Sequence, residues 1–144
     1  MNVDSCMSTE VFLTTPGHTI GDAARLMKQI DAGILPVGEG DRLVGMITDR
    51  DIAIRAVAEG KGPETRVGDV MSREILYCYA DEDLDDVAMQ MRELQVRRMP
   101  VLNRDKRLIG IISLGDMAQT DDDPQRAAIA LNGVSQPGGP HNQN

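Results

Sequence analysis

Aromatic side chains are nearly absent from this sequence. Its 144 residues include one Phe, two Tyr and no Trp, so aromatic residues make up 2% of the chain. The core must therefore be aliphatic, with nine Met side chains available to fill irregular gaps. A shortage of rings is also a shortage of stacking platforms, which argues against single-stranded nucleic acid as a ligand.

Basic side chains are in deficit as well. The chain carries 15 Lys and Arg against 23 Asp and Glu, a net charge of -8. Because DNA, RNA and anionic membranes require a basic footprint, we expect no nucleic-acid and no membrane partner. No apolar run approaches the roughly 20 residues of a membrane span. The start of the chain lacks the basic and apolar parts of a secretory signal, so we expect a cytoplasmic protein.

The residue types of common metal and nucleophile sites are also few. Cys6 and Cys78 are the only cysteines and form no C-x-x-C motif, and His18 and His141 are the only histidines. A disulfide between the cysteines is formally allowed but is not expected in a reducing cytoplasm. The sequence has no glycine-rich phosphate loop, no H-E-x-x-H motif and no nucleophile beside a usable base. We expect no metal site, no required cofactor and no enzyme activity.

What the chain does contain is an internal repeat. Displaced by 64 residues, Met7-Ser8 coincides with Met71-Ser72, and Pro36-Val37 coincides with Pro100-Val101. One extra residue then enters the second copy, and the displacement becomes 65. The pairs that coincide after it are Arg42-Leu43 with Arg107-Leu108, Gly45 with Gly110, Ile47 with Ile112, and Asp51 with Asp116. The shared order of these pairs indicates a duplication.

Each copy has the pattern of a β-α-β-β-α unit, so the fold class is mixed α/β (α+β), with two pseudo-symmetric repeats in one compact module. The predicted strands are 11–13, 34–37 and 43–47 in copy one, and 75–77, 99–102 and 108–112 in copy two. The first helices follow Thr19 and Asp83, with apolar residues at helical spacing, and the second helices follow Thr48 and Ser113. The predicted domains are 1–62 for repeat 1 with its linker, 63–123 for repeat 2, and 124–144 for a short helix and a disordered tail.

One short motif occurs in both copies. Gly45 to Asp51 and Gly110 to Asp116 each read Gly, two apolar residues, a hydroxyl residue, two variable positions and Asp. The glycine allows a ligand or a neighbouring backbone to approach the strand. The hydroxyl lies where amide groups attract phosphate, and the Asp can accept two hydrogen bonds from a ribose diol. The same spacing also describes a helix capping box, which needs no ligand.

These features together resemble a tandem pair of CBS domains, also called a Bateman module. The resemblance covers about residues 5–120 and rests on three marks, which are Val70-Met71-Ser72, the two strands that contain Pro36 and Pro100, and the duplicated Gly-x-x-(Thr/Ser)-x-x-Asp motif. Because the resemblance includes no attached enzyme or channel, the chain is similar to small stand-alone bacterial CBS proteins, some of which are linked to stress responses. The resemblance implies two clefts between the repeats, each able to hold an adenosine-containing ligand.

The resemblance also implies which residues form each cleft. One cleft would comprise Ser113, Asp116 and Arg98 from copy two with Ser8, Val11, Leu13, Ala32 and Gly33 from copy one. The other would comprise Thr48, Asp51 and Ile34 from copy one with Ser72, Ile75, Tyr77, Val96 and Arg97 from copy two. In both, the Asp would hold the ribose, and the Thr or Ser would contact phosphate or ribose.

The two copies differ where Arg97-Arg98 replaces Gly33-Ile34. Arg98 can bind a phosphate with two parallel hydrogen bonds, and Ile34 cannot. We therefore expect the Ser113/Asp116 cleft to be the better site for a phosphorylated nucleotide, with Arg50 and Arg55 as partial substitutes in the other. The alternative is that Arg97 and Arg98 are solvated or paired with acidic neighbours.

The function that follows is a non-catalytic regulatory module that senses an adenosine-containing ligand. AMP, ADP or ATP is the expected ligand, with NADH and S-adenosylmethionine as alternatives, and the regulated protein partner is not encoded in this chain. The second hypothesis is a homodimeric assembly module with empty clefts. Met27, Met89 and Met91 on the helix faces fit a dimer seam, although core packing explains them equally well.

Overall fold

The computed structural model describes residues 1–119, and the short helix and disordered tail predicted for 124–144 lie outside the described residues. The described chain forms two compact units. The first-repeat unit is Phe12–Leu76, and the second-repeat unit combines Met1–Val11 with the chain from Tyr77 onward. Helices and sheets occur in both units, which confirms the mixed α/β class.

The first-repeat unit is built on a two-stranded antiparallel sheet. Helix α1 (Ile20–Ile30) precedes strands β1 (Ile34–Glu39) and β2 (Arg42–Thr48). The chain then turns into α2 (Asp49–Asp51), which continues as a π-helix over Ile52–Ala56 and a short 3-10 turn over Val57–Glu59. A 3-10 turn at Val67–Asp69 completes the unit.

The second-repeat unit repeats this order around a three-stranded sheet. Strand β3 (Cys78–Tyr79) pairs in parallel with β4 (Arg98–Leu102), and β4 pairs antiparallel with β5 (Leu108–Ser113). Helix α3 (Leu84–Leu94) connects β3 to β4, and α4 (Leu114–Ala118) follows β5. A 3-10 turn at Val3–Ser5 belongs to the same unit.

The first strand predicted for each repeat does not form at the predicted residues. Residues 11–13 form no strand, and only Thr14 makes a parallel bridge, to Val37. Residues 75–77 likewise form no strand, and the two-residue β3 starts directly after them. The β-prone side chains at these positions predict strands, but the backbone there makes too few ladder hydrogen bonds to continue the sheet.

Helix α1 and helix α3 are positioned by capping and by one buried face. The Thr19 side chain accepts a hydrogen bond from the Asp22 amide, and the Asp83 side chain accepts one from the Asp85 amide. The buried faces are Ile20, Ala23 and Met27 in α1, and Leu84, Val87, Ala88 and Met91 in α3. Met27 and Met91 therefore belong to the cores, and of the three Met residues considered for a dimer seam only Met89 is exposed.

The compact units do not coincide with the sequence repeats, because the sheet of each unit is bordered by the N-terminal segment of the other repeat. The amide of Ser8 donates to the carbonyl of Ile111 at 2.8 Å, and the Ile111 amide donates back at 2.9 Å. Ser72 makes the same pair with Met46, at 2.8 and 2.9 Å. The equivalent serines of the repeats thus occupy equivalent edges, beside β5 and β2.

The motif glycines, Gly45 and Gly110, leave room for the backbone that pairs with this edge of each sheet. A Cβ on Gly45 would lie 2.7 Å from the Ser72 carbonyl oxygen and 2.9 Å from the Met71 sulfur. A Cβ on Gly110 would lie 2.9 Å from the Ser8 carbonyl oxygen and 2.6 Å from the sulfur of the methionine before it. Of the two roles open to the glycine, the close approach of a neighbouring backbone is therefore the one observed.

Candidate functional site

The duplicated motif forms the same hydrogen-bonded turn in both units. In the first-repeat unit, the Asp51 amide donates to Thr48 Oγ1 at 2.9 Å, and the Thr48 amide donates to Asp51 Oδ2 at 3.0 Å. In the second-repeat unit, the Asp116 amide donates to Ser113 Oγ at 3.1 Å, and the Ser113 amide donates to Asp116 Oδ2 at 3.0 Å. Both turns are complete capping boxes.

The capping boxes use only one of the two carboxylate oxygens of Asp51 and of Asp116. An ionised Asp offers two oxygens and about four lone-pair positions, and each box uses Oδ2. Among the described residues, Oδ1 of Asp116 accepts no hydrogen bond, and Oδ1 of Asp51 has only Arg55 nearby, with Nε at 3.8 Å. The capping interpretation and the ribose interpretation are therefore compatible, because one oxygen of each carboxylate holds the turn and the other remains an acceptor.

The arginine predicted for the phosphate lies beside the second motif. Arg98 and Ser113 are directly opposite each other on β4 and β5, as Ile34 and Thr48 are on β1 and β2. Side chains of opposed antiparallel residues leave the sheet on the same face with Cβ atoms about 5 Å apart. Arg98 is half-buried, and its side chain makes no hydrogen bond or ion pair in the described part of the chain. Of its two predicted states, pairing with an acidic neighbour is not observed.

Arg55, the counterpart suggested for the first motif, contacts protein groups of its own unit. Its Nη1 donates to the carbonyl oxygens of Val70 and Met71 at 3.3 and 3.4 Å, and its Nε lies 3.8 Å from Asp51 Oδ1. The guanidinium is thus committed to the segment before Ser72 and to the motif carboxylate. Arg50 is exposed.

The units divide the two predicted sets of site residues. The second-repeat unit brings together Ser8, Val11, Arg98, Ser113 and Asp116, and it also contains Tyr77, Val96 and Arg97. The first-repeat unit contains Thr48, Asp51, Ile34, Ser72 and Ile75 together with Leu13, Ala32 and Gly33. Each unit therefore holds one complete motif with its cross-strand neighbour and its edge serine.

Sequence reasoning missed Asp49, which lies at one of the two variable positions of the first motif. The Asp49 amide donates to the Gly33 carbonyl at 2.9 Å, as the Leu114 amide donates to the Arg97 carbonyl at 3.0 Å, so the two pairs are equivalent. Asp49 Oδ2 lies 3.0 Å from the place where a Cβ on Gly33 would stand. The motif treats position 49 as variable, and the available signal was that this position is charged in one copy and apolar in the other.

Tyr77 belongs to a separate cluster in the second-repeat unit. Its ring meets that of Tyr79 edge to face at 5.4 Å, and the Arg104 guanidinium lies 4.1 Å from the Tyr79 ring centre. Arg104 also donates to both oxygens of Asp81 at 2.7 to 3.1 Å. These hydrogen bonds lower the pKa of Asp81, and the hydrogen bond with Tyr77 is the largest cause of the raised pKa of Tyr79.

The described residues offer neither a metal-binding cluster nor a membrane-spanning helix. Within 1–119, no three or more His, Cys, Asp or Glu side chains are grouped so that they could hold a metal ion. No helix in this part of the chain is long and apolar enough to span a bilayer.

Comparison with known proteins agrees with the duplicated architecture. The profile of the family described as CBS domain matches twice, at residues 3–57 and 67–122. The CBS domain-containing protein YhcV of Bacillus subtilis (strain 168) is 40% identical over 134 residues, which are 93% of this chain and 95% of YhcV.

Two solved structures add to this comparison. The crystal structure of Hypoxic Response Protein I, which holds two coordinated zinc ions, has a TM-score of 0.74 and 36% identity, over 83% of this chain and 98% of its own. The CBS domain pair of protein MJ0100, in complex with 5′-methylthioadenosine and S-adenosyl-L-methionine, has a TM-score of 0.70 and 26% identity, over 83% of this chain and 94% of its own. With its two family matches and its duplicated motif, this chain belongs to the CBS domain family and contains a CBS pair.

Proposed function

We propose that this CBS pair is a non-catalytic regulatory module that binds adenosine-containing ligands, with AMP, ADP or ATP bound at Ser113, Asp116 and Arg98. The observation that carries the proposal is the position of Arg98, directly opposite Ser113 and without a partner among the described residues. The adenosine derivatives held by the MJ0100 pair support this class of ligand.

The ribose would be recognised by the carboxylate of the motif. Asp116 Oδ2 accepts from the Ser113 amide, so the side chain is already held in place before any ligand arrives. Its Oδ1 can then accept from the two hydroxyl groups of a ribose without first breaking a contact. A side chain that is already ordered loses less conformational entropy on binding, which favours affinity.

The phosphate would be recognised by Arg98. A hydrogen bond to a charged group contributes about 1.5 to 3 kcal/mol when its partner is in place. At roughly 1.4 kcal/mol for each factor of ten, loss of the guanidinium should weaken a phosphorylated ligand by about 10-fold to 100-fold. The affinity for adenosine, which has no phosphate, should change little.

The test is isothermal titration of AMP and adenosine into the wild type, Arg98→Ile and Ile34→Arg. Arg98→Ile places in β4 the residue that β1 already has, so each variant is the counterpart of the other. We expect Arg98→Ile to lose affinity for AMP and to keep its affinity for adenosine. Equal losses for both ligands would mean that the substitution disturbs the fold, and no loss for either would remove Arg98 from the site.

A second candidate function is self-assembly through the helical segment that follows Asp51. Ile54 and Val57 are 52% and 66% exposed on this segment, and their counterparts in repeat 2 by sequence are Gln119 and Asp122. A second copy of this chain in antiparallel contact would cover both apolar residues. Light scattering after size exclusion tests it, since Ile54→Asp with Val57→Asp should convert a dimer to a monomer.

A further inference from the structure

The two motifs are geometrically equivalent but chemically different. Corresponding positions lie opposite each other across the strands of both units, and the backbone hydrogen bond from the residue after Thr48 or Ser113 also joins corresponding positions. At these equivalent positions the second-repeat unit has Arg97, Arg98 and Leu114, whereas the first-repeat unit has Gly33, Ile34 and Asp49. The first-repeat unit therefore has neutral residues where the second-repeat unit has two cations, and it has a carboxylate where the second-repeat unit has a leucine.

From this difference we infer that the site formed by Thr48 and Asp51 takes an adenosine derivative that carries no phosphate, whose 5′ substituent is neutral or positively charged. The inference rests on the proposed function, because it assumes that Asp51 holds a ribose as Asp116 does. It assigns different ligand classes to the two motifs of one chain.

The side chain opposite Thr48 is the first reason. Ile34 is half-buried and offers no donor, at the position from which Arg98 would reach a phosphate in the other unit. An apolar side chain in this place favours contact with a thioether or methyl group, since burial of apolar surface stabilises a complex. It leaves a phosphate oxygen without a hydrogen-bond partner on this strand, which costs binding free energy.

The second reason is the carboxylate of Asp49. Its Oδ2 lies over the backbone of Gly33, next to the start of β1, and its Oδ1 accepts from the Arg50 amide at 2.8 Å. Asp49 and Asp51 therefore place two negative charges within one turn, on the side of the motif that faces Gly33 and Thr48. A phosphate brought there would be repelled, whereas a positively charged sulfonium or amine would be attracted.

The third reason is that the nearest cation is already engaged. Nη1 of Arg55 donates to two backbone carbonyls and Nε lies 3.8 Å from Asp51 Oδ1, so the guanidinium is held beside the motif and partly neutralises that carboxylate. The other nearby cation is Arg50, which is exposed and whose side chain makes no hydrogen bond or ion pair in the described part of the chain. Arg50 could offset the charge of Asp49, so the experiment includes a variant that removes it.

The experiment isolates one site at a time. Asp116→Asn leaves the Asp51 site intact, and Asp51→Asn leaves the Asp116 site intact. Asparagine keeps one oxygen for the capping box but puts an amide group where the second carboxylate oxygen accepted, so the turn is preserved and the ribose acceptor is lost. Adenosine, 5′-methylthioadenosine and AMP are titrated into each variant by calorimetry.

We expect opposite preferences in the two variants. In Asp116→Asn, adenosine and 5′-methylthioadenosine should bind at least as tightly as AMP. In Asp51→Asn, AMP should bind about tenfold or more tightly than adenosine, as one charged hydrogen bond would provide. Adding Ile34→Arg and Asp49→Leu to Asp116→Asn copies the residues of the other unit, and it should transfer the preference for AMP to the remaining site.

The inference is overturned if AMP binds tenfold more tightly than adenosine to Asp116→Asn. If adding Arg50→Ala to Asp116→Asn then removes that preference, Arg50 binds the phosphate at this site, contrary to the inference. If no adenosine derivative binds the wild type, it is the proposed function that fails, and the inference fails with it. Should a variant unfold, the amide resonances of Thr48 and Asp51 in the wild type distinguish the outcomes, since adenosine should shift them at a concentration no higher than AMP requires.

Discussion

Gly110→Ala should destabilise the protein by forcing apart a contact between two segments that are far apart in sequence. The added Cβ would lie 2.6 Å from the Met7 sulfur and 2.9 Å from the Ser8 carbonyl oxygen. The Met side chain can move, but the carbonyl belongs to the backbone pair between Ser8 and Ile111. Overpacking of this kind costs about 1 to 3 kcal/mol. At about 2 to 4 °C for each kcal/mol in a chain of this size, the melting temperature should fall by about 2 to 12 °C.

The matched control is Gly115→Ala, five residues later in the same unit. Its Cβ would meet only Ser113 Oγ, at an ordinary 3.6 Å, and alanine is favoured over glycine within a helix by about 1 kcal/mol. Thermal unfolding followed by circular dichroism should therefore show Gly110→Ala below the wild type and Gly115→Ala at or above it. Equal melting temperatures for the two variants would show that the segment around Ser8 does not pack on β5 as described.

Two further predictions concern ionisable groups in the second-repeat unit. Because hydrogen bonds from Arg104 lower the pKa of Asp81, Arg104→Met should raise that pKa, as measured by NMR titration of the carboxyl carbon. Burial raises the pKa of Cys78 to about 12, so an alkylating reagent at neutral pH should modify the partly exposed Cys6 and leave Cys78 unmodified. The unfolded thiol loses its proton near pH 9 and the folded one does not. Stability should therefore decrease between about pH 9 and 12, and less so in Cys78→Ala.

Much of the fold follows from the internal repeat and its patterns. The helix after Thr19 begins where its cap and its apolar spacing place it, and the strands that contain Pro36 and Pro100 lie at the predicted positions. These elements are specified locally, by caps and by periodic burial, so a single sequence contains the information. The cross-strand position of Arg98 follows from the same strand pattern.

Other features depend on contacts between distant segments, which a single sequence does not reveal. The pattern alone does not distinguish pairing of Ser8 with the second repeat from pairing with the first, because β2 and β5 have the same pattern, and only the family resemblance implied that Ser8 lies near Ser113. The strand predicted at 11–13 fails for a related reason, since β-prone residues form a strand only where a partner edge is available. The role of Arg55 depends on the carbonyls of Val70 and Met71, which its position in sequence does not indicate.

The most direct test of the account is a titration of the isotope-labelled protein with AMP, followed by amide resonances. Binding at the second motif predicts saturable shifts at Ser113, Asp116 and Arg98, together with Ser8 on the neighbouring edge. It also predicts that Asp116→Asn abolishes these shifts, while the rest of the spectrum shows that the protein stays folded. Saturable shifts that leave these four amides unchanged, or no saturable shifts at all, would contradict the assignment of this motif as a nucleotide site.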